Sequence, residues 1–211
     1  MANPKGHKWF AAIWDWQTRH EPKKLQDWRE EIAGGARGRV LEIGCGSGAN
    51  FNFYTDSASE IIATDPDPFM LVRARARATD GGRAIDVRAA PAENLPFPDA
   101  SFDTVVSTAN MCSVRDPATV LLEVRRVLKT GGEYRFFDHV RYGGAVGGFF
   151  QDAATPVWKW LGAGCHPNRN VEQLINDAGL KIVTIDHSTV VPPIPPFIIV
   201  RPCIKGVATR V

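Results

Sequence analysis

An apolar segment that runs directly into a glycine-rich turn sets the strongest limit on how this chain can fold. Residues 40–48 read V-L-E-I-G-C-G-S-G, so a strand-like run is followed by glycine at every second position. Glycine has no Cβ and tolerates positive φ, which allows bare backbone to approach a ligand closely. Glu42, two residues before Gly44, stands where the ammonium group of a ligand would be held. The pattern predicts a strand, a turn and a binding site.

The glycines alone leave the ligand open. Gly44-x-Gly46-x-x-Ala49 formally satisfies the looser dinucleotide-binding fingerprint, and a turn without any ligand is also compatible with it. Residues 61–65, I-I-A-T-D, predict a second parallel strand that ends in Asp65. A carboxylate at that position accepts hydrogen bonds from ribose hydroxyls, so Asp65 indicates a nucleoside-containing ligand. Asp67 is the nearby rival, and we expect it to begin the next helix.

Three later segments follow in a characteristic order. They are A-E-N-L-P-F-P-D-A-S-F-D at 92–103, the buried strand D-T-V-V-S-T at 103–108, and V-L-K-T-G-G-E-Y-R-F-F at 127–137. Together with the glycine turn, this series resembles the class I S-adenosylmethionine-dependent methyltransferases over residues 39–139. Dehydrogenases do not carry it. Two positions depart from the family pattern: Pro91 replaces an acid that bonds the adenine amino group, and Thr130 replaces a proline.

A narrower resemblance extends further along the chain. Residues 48–54, 111–114, 137–140, 151–159 and 162–165 are similar to the membrane-associated methyltransferase-like proteins that methylate small alkyl thiols. That group carries a hydrophobic N-terminal anchor, which this sequence lacks. Quinone and phospholipid methyltransferases have similar L-P-F motifs and are the alternative relatives.

Strands alternate with helices along most of the chain, which predicts a parallel sheet covered on both faces. With the resemblance, we expect a Rossmann-like α/β fold with a seven-stranded, mostly parallel sheet and an antiparallel last strand. The strands are predicted near 39–43, 61–65, 84–88, 103–108, 133–139, 181–185 and 204–210. The helices are predicted near 9–20, 25–34, 48–54, 67–79, 117–128, 149–161 and 170–178, with a stiff proline turn at 191–196.

The length of 211 residues fits one domain, 1–211. Within it, we expect residues 1–35 to form a helical lid and residues 141–170 to form an insertion that covers the substrate. In open α/β sheets, ligands lie at the carboxyl ends of the strands, which both segments are placed to reach. The alternative for the tryptophans of the first helix is that they only pack against the sheet.

The amino-acid composition limits the kinds of partner that this protein is expected to bind. A net charge of +2 argues against a nucleic-acid surface, and we expect the arginines at 73, 75 and 77 on a solvated helix face. The four cysteines have no metal-finger spacing, so the sequence predicts no metal site and a reduced, cytoplasmic setting. No apolar run reaches the length of a membrane span. The oligomeric state is left open.

The resemblance implies a set of cofactor-binding residues for S-adenosylmethionine: Glu42, Gly44, Cys45, Gly46, Gly48, Asp65, Pro66, Met70, Ala92, Glu93 and Asn110. For the acceptor, the candidates are Trp9, Trp14, Cys112, Ser113 and Cys165. The candidate bases are His139 and His166, since the imidazole pKa lies near neutrality.

The function predicted from these residues is in-line methyl transfer from S-adenosylmethionine to a small, fairly apolar acceptor, with a thiol favoured. A quinone or phenol O- or C-methyltransferase, or a phospholipid N-methyltransferase, is the alternative within the class. A nucleotide-binding module without transfer chemistry is the alternative outside it. Glu42 and the motif at 92–97 favour the enzyme.

Overall fold

The computed structural model describes residues 6–162, 164–189 and 197–211. Its centre is a seven-stranded sheet with the strand order β3-β2-β1-β4-β5-β7-β6. The strands are β1 Gly38–Ile43, β2 Ala58–Asp65, β3 Asp86–Ala89, β4 Phe102–Thr108, β5 Leu128–His139, β6 Leu180–Thr189 and β7 Pro202–Arg210. The first five pair in parallel, whereas β7 pairs antiparallel with both β5 and β6. The predicted fold class is confirmed.

Within the described residues, six α-helices surround the sheet: α1 Lys8–Arg19, α2 Lys23–Gly34, α3 Pro68–Asp80, α4 Pro117–Val127, α5 Ala145–Leu161 and α6 Val171–Asp177. The α-helix expected at 48–54 was wrong, because only a short 3-10 helix, Phe51–Phe53, forms there. Gly48 has a φ of +80°, which is incompatible with the right-handed helix. The proline turn expected at 191–196 lies outside the described residues.

The central strands are buried on both faces because helices cover both. Val105 and Val106 follow each other in β4, and each is fully buried, but they belong to different apolar clusters. Successive side chains of a strand point to opposite faces, so a continuous apolar run is what a doubly covered sheet requires. This arrangement fixes the sheet rigidly and leaves the carboxyl ends of its strands to carry the site.

The start of α3 confirms the role predicted for Asp67. Its Oδ1 accepts hydrogen bonds from the backbone N–H groups of Phe69 and Met70, and Pro68 occupies the first turn. These are the features of a capped helix N-terminus. The helix therefore begins directly beyond the end of β2.

Helix α1 lies against α3, and an ion pair joins them. Arg77 donates from Nη2 to Asp15 Oδ1 over 2.7 Å, and its side chain is buried in that contact. The prediction of a solvated face was therefore wrong for Arg77, because α1 covers that side of α3, although Arg75 is exposed. The N-terminal helix is thus fastened beside the carboxyl ends of β1 and β2.

Helix α5 carries an exposed apolar side that includes Val146, Phe149, Phe150, Val157 and Trp160. Its inner side is held by Gln151, whose amide donates to the carbonyls of Val140, Pro167 and Ile199.

None of the helices in the described ranges has the length and apolarity that a membrane span requires.

Candidate active site

The turn after β1 has three glycines with positive φ: +61° at Gly44, +55° at Gly46 and +80° at Gly48. Their surroundings differ. A Cβ at Gly44 would overlap the carboxamide of Asn110, and a Cβ at Gly48 would lie 2.6 Å from the Phe51 ring. Gly44 and Gly48 are therefore required by the packing of the protein itself.

Gly46 has a different neighbour, because the N-terminal helix reaches it. A Cβ at this position would lie 3.2 Å from Nε1 of Trp14 and 4.0 Å from Sδ of Met70. Trp14 is half-buried, and its ring stacks on that of Phe10 at a centroid distance of 6.0 Å. The bare backbone of Gly46 thus faces a space bounded by α1 and the first turn of α3.

Asp65, the last residue of β2, joins this space from the neighbouring strand. Its Oδ2 accepts a hydrogen bond from Gly46 N–H at 2.9 Å, and its Oδ1 accepts one from Asp67 N–H at 2.8 Å. Burial raises the pKa of this carboxyl to about 6, although the two backbone hydrogen bonds oppose the shift. Each oxygen keeps a further lone pair, so the carboxylate is able to accept hydroxyl donors.

Glu42 lies inside the protein, below the turn. Its Oε1 accepts from the Asn50 amide at 2.8 Å, and its Oε2 accepts from the Tyr54 hydroxyl at 2.8 Å. The side chain is almost fully buried, and burial raises its pKa to about 7. Arg29 donates to both Asn50 Oδ1 and Thr108 Oγ1 and completes the network. The sequence analysis assigned no role to Asn50, Tyr54 or Arg29, although Asn50 and Tyr54 belong to the segment 48–54 that carries the family resemblance.

These groups fit S-adenosylmethionine. Backbone without a side chain at Gly46 leaves room for a close ligand, and the buried carboxylate of Asp65 at the end of the second strand suits ribose hydroxyls. Hydroxyl donors would also compensate the burial of a carboxyl whose pKa is raised in their absence.

The other predicted cofactor residues occupy varied positions around this space. Cys45 is buried, and its N–H donates to the Thr64 carbonyl, so it joins the turn to β2. Pro66 is exposed, whereas Ala92 is buried in the core. Glu93, the candidate to replace the missing acid at Pro91, already accepts a hydrogen bond from Arg115 N–H at 3.0 Å.

The turn after β4 brings Asn110 to the glycine turn. Ala109 has a φ of +52°, a left-handed conformation that is strained for alanine. This conformation directs Asn110 towards Gly44, and its amide donates to the Ile43 carbonyl at 3.4 Å. Strained backbone of this kind is typical of functional sites, and here it places the start of the loop 110–113 beside the end of β1.

Four of the predicted acceptor-side residues come together at the carboxyl ends of β4 and β5. The Sγ of Cys112 lies 3.4 Å from Ser113 Oγ and 3.7 Å from His139 Nδ1. The ligand atoms of Cys112, His139 and Cys165 all lie within 4.8 Å of one another. Cys165 reaches this group from the loop after α5. The two cysteines are buried, and His139 is half-buried.

The two thiols have opposite properties. A hydrogen bond from the Cys112 thiol, together with the indole N–H of Trp158, lowers the pKa of Cys165 against the effect of burial. The same bond to Cys165, together with burial, raises the pKa of Cys112. Burial lowers the pKa of His139, but the contact with Cys112 and the nearby acidic groups outweigh it, so the pKa is raised.

Asp138 is a member of this region that the sequence interpretation did not include. It is fully buried; its Oδ1 accepts from Cys112 N–H at 3.1 Å, and its Oδ2 has no hydrogen-bond partner among the described residues. Burial raises its pKa strongly. An acid immediately before His139 at a strand end was the available signal.

The remaining two predicted residues are placed differently. The N–H of His166 donates to the Cys112 carbonyl at 2.6 Å, which fixes its loop to the turn after β4. Its Nδ1 is buried without a hydrogen-bond partner in the described structure, and burial lowers its pKa. Trp9 is 84% exposed, so the structure does not bring it together with the other acceptor candidates.

Comparison with known proteins agrees with this geometry. A family model described as a methyltransferase domain matches residues 41–136. The human thiol S-methyltransferase TMT1B is 35% identical over 95% of this chain and 84% of its own length. The ubiquinone/menaquinone biosynthesis C-methyltransferase UbiE of Bordetella avium is 32% identical over 59% of this chain and 50% of its own length.

A crystal structure described as that of a methyltransferase from Bacillus halodurans superposes with a TM-score of 0.72 at 19% identity, covering 90% of this chain and 99% of that one. This likeness supports the fold, whereas the identity to TMT1B along nearly the whole chain supports the family. The ordered motifs, the strand order and these matches lead to one conclusion: the chain belongs to the class I S-adenosylmethionine-dependent methyltransferases, in the group that contains the thiol S-methyltransferases.

Proposed function

We propose that this enzyme transfers a methyl group from S-adenosylmethionine to the sulfur of a small, fairly apolar thiol. The observation that carries the proposal is the extent of the match to TMT1B, which covers 95% of this chain, whereas the match to UbiE covers 59%. Cys112, Ser113, His139 and Cys165 lie together at the carboxyl ends of β4 and β5, which supports an acceptor site at these strand ends.

The bound sulfonium cofactor supplies an activated methyl group, so the protein chiefly has to align the acceptor and exclude water. In this proposal, Asp65 binds the ribose and Gly46 provides close backbone, while Glu42 stabilises the turn through Asn50 and Tyr54. Trp14, on α1, covers the glycine turn at Gly46. The left-handed Ala109 holds Asn110 at the junction between the cofactor and acceptor sides.

Two segments enclose the acceptor in this proposal, within a single domain that spans 1–211. The lid at 1–35 is joined to α3 through Arg77 and Asp15. The insertion at 141–170 is joined to the strand ends through His166 and Cys112, and through the three bonds of Gln151. Apolar walls with a few polar groups are typical of pockets for small molecules. A cover of this kind also excludes water from the reaction.

The acceptor must lose a proton, and two histidines are candidates to take it. A thiol has an ordinary pKa of about 8.5, so a weak base suffices near neutral pH. The lowered pKa of His166 keeps this imidazole neutral and able to accept a proton. His139 already contacts Cys112 through Nδ1, which leaves its other nitrogen for an acceptor. Cys45, Cys112 and Cys165 are free thiols, which supports a reducing compartment such as the cytoplasm.

An acceptor panel tests the proposal. Purified enzyme is supplied with S-adenosylmethionine and, separately, an alkyl thiol, a phenol, a quinol, an amine and a phospholipid, and S-adenosylhomocysteine is quantified. We expect the alkyl thiol to give the highest kcat/KM. Turnover of the quinol or the phospholipid with none of the thiol would replace this acceptor with one of the alternative classes.

Binding measurements with S-adenosylhomocysteine and NAD separate the enzyme from a binding module. We expect micromolar binding of the first and none of the second. Saturable NAD binding without a response to S-adenosylhomocysteine would exclude the proposed chemistry altogether.

A further inference from the structure

We propose that Cys112, His139 and Cys165 form a binding site for a thiophilic divalent cation of the zinc class. The three side chains come from separate parts of the chain: the turn after β4, the last residue of β5 and the loop after α5. Their ligand atoms nevertheless converge, all within 4.8 Å of one another.

The spacing of these atoms is close to what a tetrahedral zinc site requires. Zinc bonds to sulfur at about 2.3 Å and to imidazole nitrogen at about 2.0–2.1 Å, so ligand atoms in a tetrahedron lie roughly 3.5–3.8 Å apart. The distance between Cys112 Sγ and His139 Nδ1 is already 3.7 Å. A contraction of at most about 1.3 Å in the remaining edges would complete the site, which rotation of the cysteine side chains can supply.

The chemistry of the set is also specific. Two thiolates and one imidazole form a soft donor set that favours zinc over magnesium or calcium. The indole N–H of Trp158 lies beside the sulfur of Cys165, and an outer-shell donor of this kind orients a metal-bound sulfur. Bound zinc would balance the two thiolates, and the guanidinium of Arg169 supplies a further positive charge near them.

The sequence predicted no metal site because that expectation rested on spacing along the chain. Ligands that are 27 and 26 residues apart in sequence have no finger-like pattern. The parallel sheet brings the ends of β4 and β5 side by side, and α5 returns the chain to the same edge. The three side chains therefore converge because of the order of strands and helices in the fold, which spacing along the sequence does not show.

A site with three protein ligands leaves the fourth tetrahedral position open, as in catalytic zinc sites. This consequence rests on the proposed function: the open position would take the acceptor thiol. Coordination to the metal would lower the pKa of the acceptor thiol, so that its proton passes to His166 or to solvent and the sulfur is held as a thiolate. The thiolate lone pair then forms the new carbon–sulfur bond, the sulfonium carbon–sulfur bond breaks, and the products are a thioether and S-adenosylhomocysteine. His139 would then be a ligand, which leaves His166 as the candidate base.

The binding test uses the whole chain, purified with reductant and freed of metal by chelation. Titration with Zn²⁺ against a chromophoric chelator should give one equivalent per chain, and Co²⁺ should give thiolate charge-transfer and tetrahedral d–d bands. Cys112→Ser, Cys165→Ser and His139→Gln should each weaken Zn²⁺ binding by about 100-fold or more, because even outer-shell changes cost 10–100-fold. Cys203→Ala and His187→Gln are matched controls and should retain one equivalent.

A second measurement avoids variants that fail to fold. Zn²⁺ should protect Cys112 and Cys165 of the wild-type chain from alkylation, as mapped by mass spectrometry, while the rates at Cys45 and Cys203 stay unchanged. Binding below about 0.2 equivalent, or equal protection of all four cysteines, would overturn the site.

Activity separates this inference from the proposed function. Thiol methylation that proceeds at full rate in a chain that binds no Zn²⁺ would remove the site and keep the proposed function. One equivalent of Zn²⁺ at the three ligands without any thiol turnover would keep the site and remove the proposed function.

Discussion

The backbone N–H of Gly46 donates to Oδ2 of Asp65 over 2.9 Å, which joins the glycine turn to the last residue of β2. The turn and the carboxylate therefore form one unit before any ligand arrives. A pre-organised site loses less entropy on binding than one that must assemble. The most direct predictions concern this unit.

Asp65→Ala should weaken binding of S-adenosylhomocysteine by about 1.5–3 kcal/mol, the usual range for hydrogen bonds to a charged group. The substitution removes the carboxylate proposed to accept the ribose hydroxyls. Isothermal titration calorimetry measures the effect, and Asp67→Asn, which keeps the helix cap, is the control. An unaltered dissociation constant in Asp65→Ala would show that the ribose is bound elsewhere.

Cofactor affinity should also depend on pH through Asp65. Its pKa is raised to about 6 in the free protein, and hydroxyl donors bind the ionised form better. The dissociation constant should therefore increase as the pH falls through about 6. Affinity that is constant between pH 5 and pH 8 in the wild type would contradict this assignment.

Glu42 should make the protein less stable as the pH rises. Its pKa is raised from 4.5 to about 7 on folding, so between these values the folded state holds a proton that the unfolded state has released. Stability falls across this window, by roughly 3 kcal/mol for a shift of this size. Glu42→Gln should reduce the decline, as measured by urea unfolding at pH 5 and pH 7.5. Glu60→Gln, an exposed carboxylate on β2, should keep the wild-type decline.

Trp14 and Trp9 belong to one helix and should behave differently. Trp14 lies at the glycine turn, whereas Trp9 is 84% exposed. Trp14→Ala should raise the dissociation constant of S-adenosylhomocysteine several-fold, because it uncovers the turn, while Trp9→Ala should leave it unchanged. Equal effects of the two tryptophan variants on affinity would exclude this role for Trp14.

Gly46→Val should abolish binding of S-adenosylhomocysteine, since a branched side chain at a φ of +55° is strained and would also occupy the space proposed for the ligand.

His166→Gln should lower turnover of a thiol acceptor several-fold at pH 7 and less at pH 9, where the thiolate forms unaided. The lowered pKa of His166 makes it a neutral base over this whole range. Initial rates from pH 6.5 to pH 9 provide the measurement, with His187→Gln as a control on an exposed histidine. A loss of the same size at every pH would mean that His166 positions the loop and accepts no proton.

The sequence predicted the fold well because the signals were local and repeated. Apolar runs, capping acids such as Asp67 and the glycine turn all act over a few residues, and each was placed within a few positions. The failures arose where distant segments meet. Arg77 is buried because α1 packs on α3, and Asn50 turns inward to Glu42 in place of a helical turn. The direct approach of the Cys112 and Cys165 side chains was not predicted either, since the chain separates them by α4, β5 and α5.

The contact between Gly44 and Asn110 shows that a glycine motif has more than one origin. No ligand is needed to exclude a side chain at Gly44, because the neighbouring loop already occupies that volume. Positions 44 and 110 are therefore expected to vary together among relatives, with a residue smaller than asparagine at 110 wherever 44 gains a side chain. Position 46 should instead vary with residue 14. The three-glycine signature thus contains two kinds of constraint: packing within the protein at Gly44 and Gly48, and, in the proposed function, room for the cofactor at Gly46.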